Sequence, residues 1–529
     1  MASPFLMNGN RGTGNTLGSP CFGDRNQMPE LQYAVVNSLR EVDMSRNSIL
    51  ADLHENGGMS GLWWFPETPD KKIRGRLVLT QDGEMDLTLE RESQIIEAFK
   101  SLFETPSLGV VWGILSDGTQ CSLIALTFAG KTLAFQAWVT EIYSVQYAIF
   151  GALVKGLAQF EIKQISLSLP VLMDWSHVAC YSATQKYMPE EQSIKFSIET
   201  QKAQTIALGT AGKLAVDIHI SAGWHGGTAF SEAPGIAPFS MLNISFAEQI
   251  SLASAIQLVP LALNFFSLAT LSIVQPASVS CESDSAKRTI EGHKAPYYEQ
   301  IVVWYRGLAE QTRWKGILDN SMFFTYSDIA QAGDQNILAT LLARHDEFDN
   351  ILASLVPGSS SFHYYSQQRF LNATHAFECL DRMTGHDLRS PKNEFESAKG
   401  GILKKLTDSE QSWLQDLLGD YANEPSLRDR IKNILQQNAE LLDTSINKQS
   451  RFICDAINTR NYIVHGDKEL KAKAALDTRL VGMTDKLEFL ARLTFLRVLG
   501  LTDTDLRVLL SHPDRDYFMN MRDLFHPAT

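Results

Sequence analysis

The sequence predicts an α+β multidomain chain, with a β-rich, sandwich-like N-terminal domain followed by a C-terminal all-α helical bundle. Three observations carry this. At 529 residues the chain exceeds one domain of about 100–200 residues and implies roughly three. Short β-type runs bounded by turn residues recur from Gly61 to about Ile220. After about Gly292 the apolar residues shift to helical spacing. The expected organisation is a disordered tail at 1–30, a β-rich sensing or regulatory domain at 31–292, a helical connector at 293–356 and a helical bundle at 357–529.

The β elements begin at Gly-Leu-Trp-Trp-Phe-Pro from Gly61, followed by a strand over Ile73–Thr80. Asp82-Gly83 is a hairpin turn signal before a strand over Met85–Leu89. Further strands are expected at Val110–Leu115, Ser122–Phe128, Thr132–Val139, Ile165–Leu169, Ile194–Ile198 and Ala215–Ile220. Helical spacing is read over Tyr297–Leu308 and Ile337–Leu355. Pro357-Gly358-Ser359-Ser360-Ser361 is a break with N-cap serines, and the helix Phe362–Met383 after it ends at Gly385. Helices then follow at Asp408–Leu418, Leu427–Asp443, Thr444 to about His465, and Ala474–Leu499, the last broken near Gly500.

Composition narrows the function. Lys plus Arg number 47 against 60 Asp plus Glu, a net charge of −13, so the chain is not a nucleic-acid coating protein with a general basic footprint. A small, locally basic cleft acting on RNA remains compatible with that total. Six widely separated cysteines spell neither a zinc knuckle nor a redox pair, and a reducing, cytoplasmic compartment is expected. The first 30 residues lack a charged n-region followed by an apolar stretch. The uncharged run between Glu248 and Glu282 contains Pro260, Asn264 and Gln275-Pro276 and lacks basic flanks, so a buried helix followed by a strand is expected, and no membrane span.

Several short motifs carry little. Gly130-Lys131-Thr132 lacks the earlier glycine of a phosphate-binding loop, because Ala125 stands there, and reads as a β-turn lysine. His345-Asp346 has no partner histidine at ligand spacing and reads as a solvated helix face. His225-Gly226-Gly227 and His512-Pro513-Asp514 read as loop or helix-end sequence. No metal or cofactor is called for. Trp63, Trp64 and Phe65 read as core, with a recognition surface as the alternative.

The segment Arg451–Lys468 stands apart. Phe452 or Ile453, Ile457 and Val464 form an apolar stripe on a helix that Gly466 is placed to end, so Arg460, Asn461 and His465 crowd its last turn and a half. Five residues turn a straight helix by about 140°, so Arg460 and His465 would not share a face. A pairing needs the helix to stop at His465, or a second chain to complete the site. The plain alternative is that both cations simply favour a helix C-terminus.

Arg460 to Gly466, R-N-Y-I-V-H-G, resembles the R-N-x-x-x-H form of the motif of HEPN ribonucleases. Together with the helical C-terminal half and a β-rich half opening with G-L-W-W-F-P-E, the arrangement resembles bacterial anti-phage defence proteins of the Apea-like HEPN family. That resemblance implies an abortive-infection endoribonuclease and RNA-binding hydrolase. The implied reaction is metal-independent attack of a ribose 2′-OH on the adjacent phosphate. It implies Arg460 and His465 as catalytic residues in a composite site across a homodimer, with a possible higher homo-oligomer, Asn461 and Glu378 as accessories, and tRNA or mRNA as substrate. It also implies a phage-encoded trigger. Histidine titrates near neutrality and suits proton exchange, and the forked, permanently charged arginine suits a crowded phosphate. Arg369 and His375 are candidates for RNA contact or plain surface residues. Residues 441–480 carry seven basic against five acidic side chains, a small basic island in an acidic chain. The alternative is a non-catalytic HEPN dimerisation or binding scaffold with a ligand-sensing β domain.

Overall fold

A computed structural model describes residues 49–512, apart from 56, 93–107, 135–137, 189–192, 226–234, 289–296, 299, 309–315, 332–335, 357–365, 419–420 and 444–448, together with Met521 and Phe525. The expected tail at 1–30 and the serines at 359–361 lie outside the described residues.

After a short helix α1 (Ile49–Glu55), six antiparallel strands close into a barrel: β1 (Met59–Trp64), β2 (Ile73–Leu79), β3 (Met85–Glu92), β4 (Leu108–Leu115), β5 (Gln120–Ala134) and β6 (Trp138–Ser144). The order around the ring is β5-β4-β1-β2-β3-β6, and β6 pairs back onto β5. The predicted hairpin is present, with Leu79 opposite Met85 and Gly83 at φ 75° in the turn. β5 is a single long strand where the sequence suggests two. It pairs with β7 (Tyr147–Phe150) up to Ile124 and with β6 from Thr127 onward. Ala125 between these stretches has φ 55°, a bend that carries the strand out of one sheet and into the barrel wall.

Gly130-Lys131-Thr132 is therefore strand and not a β-turn. Lys131 stands opposite Glu141, and the two side chains pair at 3.0 Å in a nearly buried setting. Arg91 approaches the same carboxylate at 3.4 Å and the Tyr143 hydroxyl donates to it at 3.1 Å.

Trp63 fills the barrel and is fully buried, and Trp64 is buried as well, so these two are core rather than a recognition surface. Three glycines on adjoining strands make the room. A Cβ on Gly113 would overlap the Trp63 ring, one on Gly75 would lie 2.8 Å from Trp63 Cδ1, and one on Gly61 3.3 Å from Trp63 Nε1. The Gly113→Ala variant is expected to lose about 1–3 kcal/mol through overpacking. Its urea midpoint should fall accordingly, and an unchanged midpoint would show that the barrel relaxes around the extra methyl.

Beyond β7 the wall continues as an open antiparallel sheet in the order β7-β17-β14-β8-β13-β12-β11. It comprises β8 (Glu161–Ser168), β11 (Gln204–Ala211), β12 (Leu214–His225), β13 (Gly235–Ser251), β14 (Ser278–Glu282) and β17 (Ile301–Tyr305). β9 (Tyr181–Met188) and β10 (Ser193–Thr200) form a separate ribbon, as do β15 (Lys287–Arg288) and β16 (Tyr297–Tyr298). The helix read over Tyr297–Leu308 is thus corrected to strand. Ile301-Val302-Val303-Trp304 is a β-branched and aromatic run whose spacing mimics a helical stripe, and its pairing with β14 and β7 decides the conformation.

The apolar run after Glu248 gives α3 (Leu252–Thr270) and then β14, as expected. α3 is long and apolar enough to cross a membrane by composition, but 67% of its apolar window is buried inside the protein, and Ser251 caps it by accepting from the Ser254 N–H. It follows the six-residue helix α2 (Val171–Ser176), whose Trp175 meets Phe265 and Phe266 edge-on.

The remaining helices are α4 (Tyr326–Gln331), α5 (Ile337–Ala343), α6 (His345–Leu355), α7 (Ser366–Met383), α8 (Lys392–Leu403), α9 (Asp408–Leu417), α10 (Leu427–Asn438), α11 (Ser450–His465), α12 (Thr478–Val498) and α13 (Asp503–Leu510). The single helix read over Ile337–Leu355 is two, broken at Arg344, whose guanidinium grips Glu347 in a fork at 3.1 and 2.6 Å. His345 pairs locally with Asp346 at 3.3 Å. One continuous core runs from the open sheet through α3, α5 and α6 into α7, α10, α11 and α12, and a second fills the barrel.

Candidate functional site at the end of α11

α11 carries its buried side chains Ile453, Ala456 and Thr459 three residues apart, which fixes one face on the bundle. The Thr459 hydroxyl donates to the Asp455 carbonyl at 2.6 Å and accepts from the Ala475 N–H at 2.8 Å, pinning the returning chain beside the helix. Sequence reading overlooked Thr459; its signal is a hydroxyl at the next step of the apolar series Ile453, Ala456.

The helix stops where the motif needs it to. Gly466 adopts φ 67°, ψ 22°, and its N–H bonds the Tyr462 carbonyl at 3.0 Å, an αL termination that a side chain would strain. His465 is then the last helical residue and is exposed, with Arg460 and Asn461 half-buried one turn earlier.

Arg460 and His465 meet within one chain. Arg460 Nη1 donates to His465 Nε2 at 2.9 Å and lies 3.4 Å from Asn461 Oδ1. The 140° separation of an ideal helix describes the backbone, and the long arginine side chain spans it once the helix ends at His465. Because a guanidinium only donates, this contact makes Nε2 the acceptor and leaves the ring proton on Nδ1. Exposed Lys468, Lys471, Lys473 and Arg479 follow on the returning segment.

The other candidates lie elsewhere. Glu378 sits half-buried on α7, and no hydrogen bond or ion pair joins it to Arg460 or His465 among the described residues. Arg369 is committed to structure: it forks onto Glu488 at 2.6 Å through two nitrogens and reaches Asp485 at 2.8 Å, tying α7 to α12. His375 faces Cys379 Sγ at 3.7 Å one turn along α7. Burial, with help from Glu378, pushes the Cys379 thiol up. Among the described residues no group of three His, Cys, Asp or Glu side chains is placed to hold a metal ion.

The family model described as ApeA N-terminal domain 1 matches residues 58–338, more than half of the chain, and that described as Apea-like HEPN matches residues 371–505. The chain belongs to the ApeA family. The ApeA N-terminal match takes in the barrel, the open sheet and α2 to the start of α5, and the HEPN match takes in the helices from α7 to the start of α13, with α11 and its Arg460–His465 pair inside it. A search of curated proteins and a search of solved structures each return no match.

Proposed function

We propose that this ApeA-family chain is a metal-independent endoribonuclease of bacterial anti-phage defence, working in the cytoplasm and cutting RNA with Arg460 and His465. The observation that carries this is the 2.9 Å contact between Arg460 Nη1 and His465 Nε2 at an exposed helix end inside the HEPN-matched region.

Cleavage by 2′-OH attack needs a base for that hydroxyl, a cation for the crowded phosphate and an acid for the departing 5′-oxygen. His465 Nε2 presents the lone pair of a base. Arg460, drawn from His465 by the incoming phosphate, frees that lone pair and supplies two parallel donors to the phosphate oxygens. Asn461 Oδ1 keeps the guanidinium oriented as it turns. The products are a 2′,3′-cyclic phosphate and a 5′-OH.

One protomer offers one histidine at this site, whereas the reaction uses two proton carriers. A second copy placed against the first at the end of α11 supplies the acid and doubles the surrounding lysines, which concentrates positive field on an otherwise acidic protein. The β domain then serves as the sensor of a phage component, which keeps a growth-arresting nuclease quiet until infection.

The test is to incubate wild type and His465→Ala with total RNA and with tRNA in EDTA, alone and with extract of phage-infected cells, and to sequence the fragment ends. Cutting that leaves cyclic phosphates and is lost in the variant is the expected result. Equal cutting by both proteins would remove His465 from the chemistry, and binding of RNA without cutting in any arm would favour the scaffold reading.

A further inference from the structure

We propose that the helical pair α8–α9 is a docking face for a second copy of this chain, laid two-fold so that α8 of each copy crosses α9 of the other. The inference goes beyond the ribonuclease reading and does not depend on it.

The two helices are 12 and 10 residues long, and neither has a single buried residue. Helices this short are marginal in water and draw their stability from packing an apolar face. Here the apolar residues point outward: Ile402 on α8 is 52% exposed, Trp413 and Leu417 on α9 are 64% and 65% exposed, and Tyr421 just beyond is 76% exposed. Trp413 and Leu417 are four residues apart and share one face of α9. A tryptophan left in water beside a leucine, an isoleucine and a tyrosine is the composition of an interface centre. Gly400 and Gly401 in the last turn of α8 would meet nothing of their own chain if they carried a Cβ. Each glycine costs a helix about 1 kcal/mol against alanine, and close approach by an external surface is what such a position permits.

Charge selects the occupant. α8 and its connection to α9 carry Lys392, Lys399, Lys404 and Lys405 against Glu394 and Glu396. α9 carries Asp408, Glu410 and Asp416 and no basic residue. In a two-fold interface each residue that meets a different one is met by it in return, so basic α8 faces acidic α9 twice. The hairpin is thus complementary to itself.

Charge exchange in the full-length chain tests this by sedimentation velocity. One variant carries Lys404→Glu and Lys405→Glu; the other carries Asp408→Lys and Asp416→Lys and keeps Glu410, which caps α9 with Thr407. Each variant alone sets like charges against each other and is expected to sediment at half the mass of the wild type. An equimolar mixture opposes unlike charges at both contacts and should recover the wild-type mass. Circular dichroism confirms that both variants are folded. A wild type that sediments as a monomer, variants of unchanged mass, or a mixture of folded variants that stays at the lower mass would each overturn the proposal.

Discussion

Replacing Arg460 by lysine is expected to lower the rate of RNA cleavage by about 100-fold or more, the usual cost of removing one positioned donor from a developing anion. Lysine keeps the positive charge but presents it as a point on a flexible stem, without the planar fork that bridges two oxygens. At this site the fork also has a second duty, because Nη1 sits between His465 Nε2 at 2.9 Å and Asn461 Oδ1 at 3.4 Å. The loss should fall on kcat, since the guanidinium engages the phosphate most strongly when its charge is greatest. Asn461→Ala removes only the orienting acceptor and should cost less than Arg460→Lys. Neither side chain belongs to the buried core, so melting temperatures should stay at the wild-type value. A lysine variant that cuts at the wild-type rate would mean that charge alone suffices, and a variant that melts earlier in proportion to its lost activity would mean that Arg460 is a structural cap.

What could be read from the sequence follows how local each determinant is. The end of α11 was legible because one glycine at 466 dictates it, and the Gly83 turn was legible for the same reason. The meeting of Arg460 and His465 was legible only as one of two alternatives, because an angular argument on an ideal helix omits the reach of the arginine side chain. Barrel closure was not legible at all. It depends on β5 changing partners at Ala125, a single alanine with no turn signature, and on β6 returning to β5 across the ring. The run Ile301–Tyr305 was misread because its spacing fits a helix, and only the neighbouring edges of β14 and β7 resolve it. α8 was missed because Gly400-Gly401 reads as a break and nothing on the helix packs inward.

The buried ion pair between α10 and α7 gives the second large effect. Arg430 is 2% exposed and Asp381 fully buried, with Nη1 and Oδ2 3.3 Å apart. Asn433 Nδ2 reaches the same oxygen at 3.4 Å, His386 Nδ1 approaches the other at 3.3 Å, and Arg430 Nη2 lies 3.3 Å from Glu424. The Arg430→Met variant is expected to lose about 3–5 kcal/mol near neutral pH, because it strands a carboxylate in the core. Its pH dependence identifies the cause. Burial raises the Asp381 pKa, while Asn433, His386 and Arg430 oppose the rise. A carboxyl raised in the folded state favours folding below its unfolded pKa, and that contribution is lost as pH climbs through the folded value. Removing Arg430 takes away one of the opposing influences, so the folded value moves higher and the penalty grows across a wider span of pH. Urea midpoints should therefore show a gap between variant and wild type that is widest near pH 8 and narrows towards about pH 5, as the stranded carboxyl takes up its proton. Adding Asp381→Asn removes the buried charge and should recover most of the loss. A gap that is constant with pH, or one that the second substitution leaves untouched, would assign the cost to lost packing of the arginine stem instead of an unpaired charge.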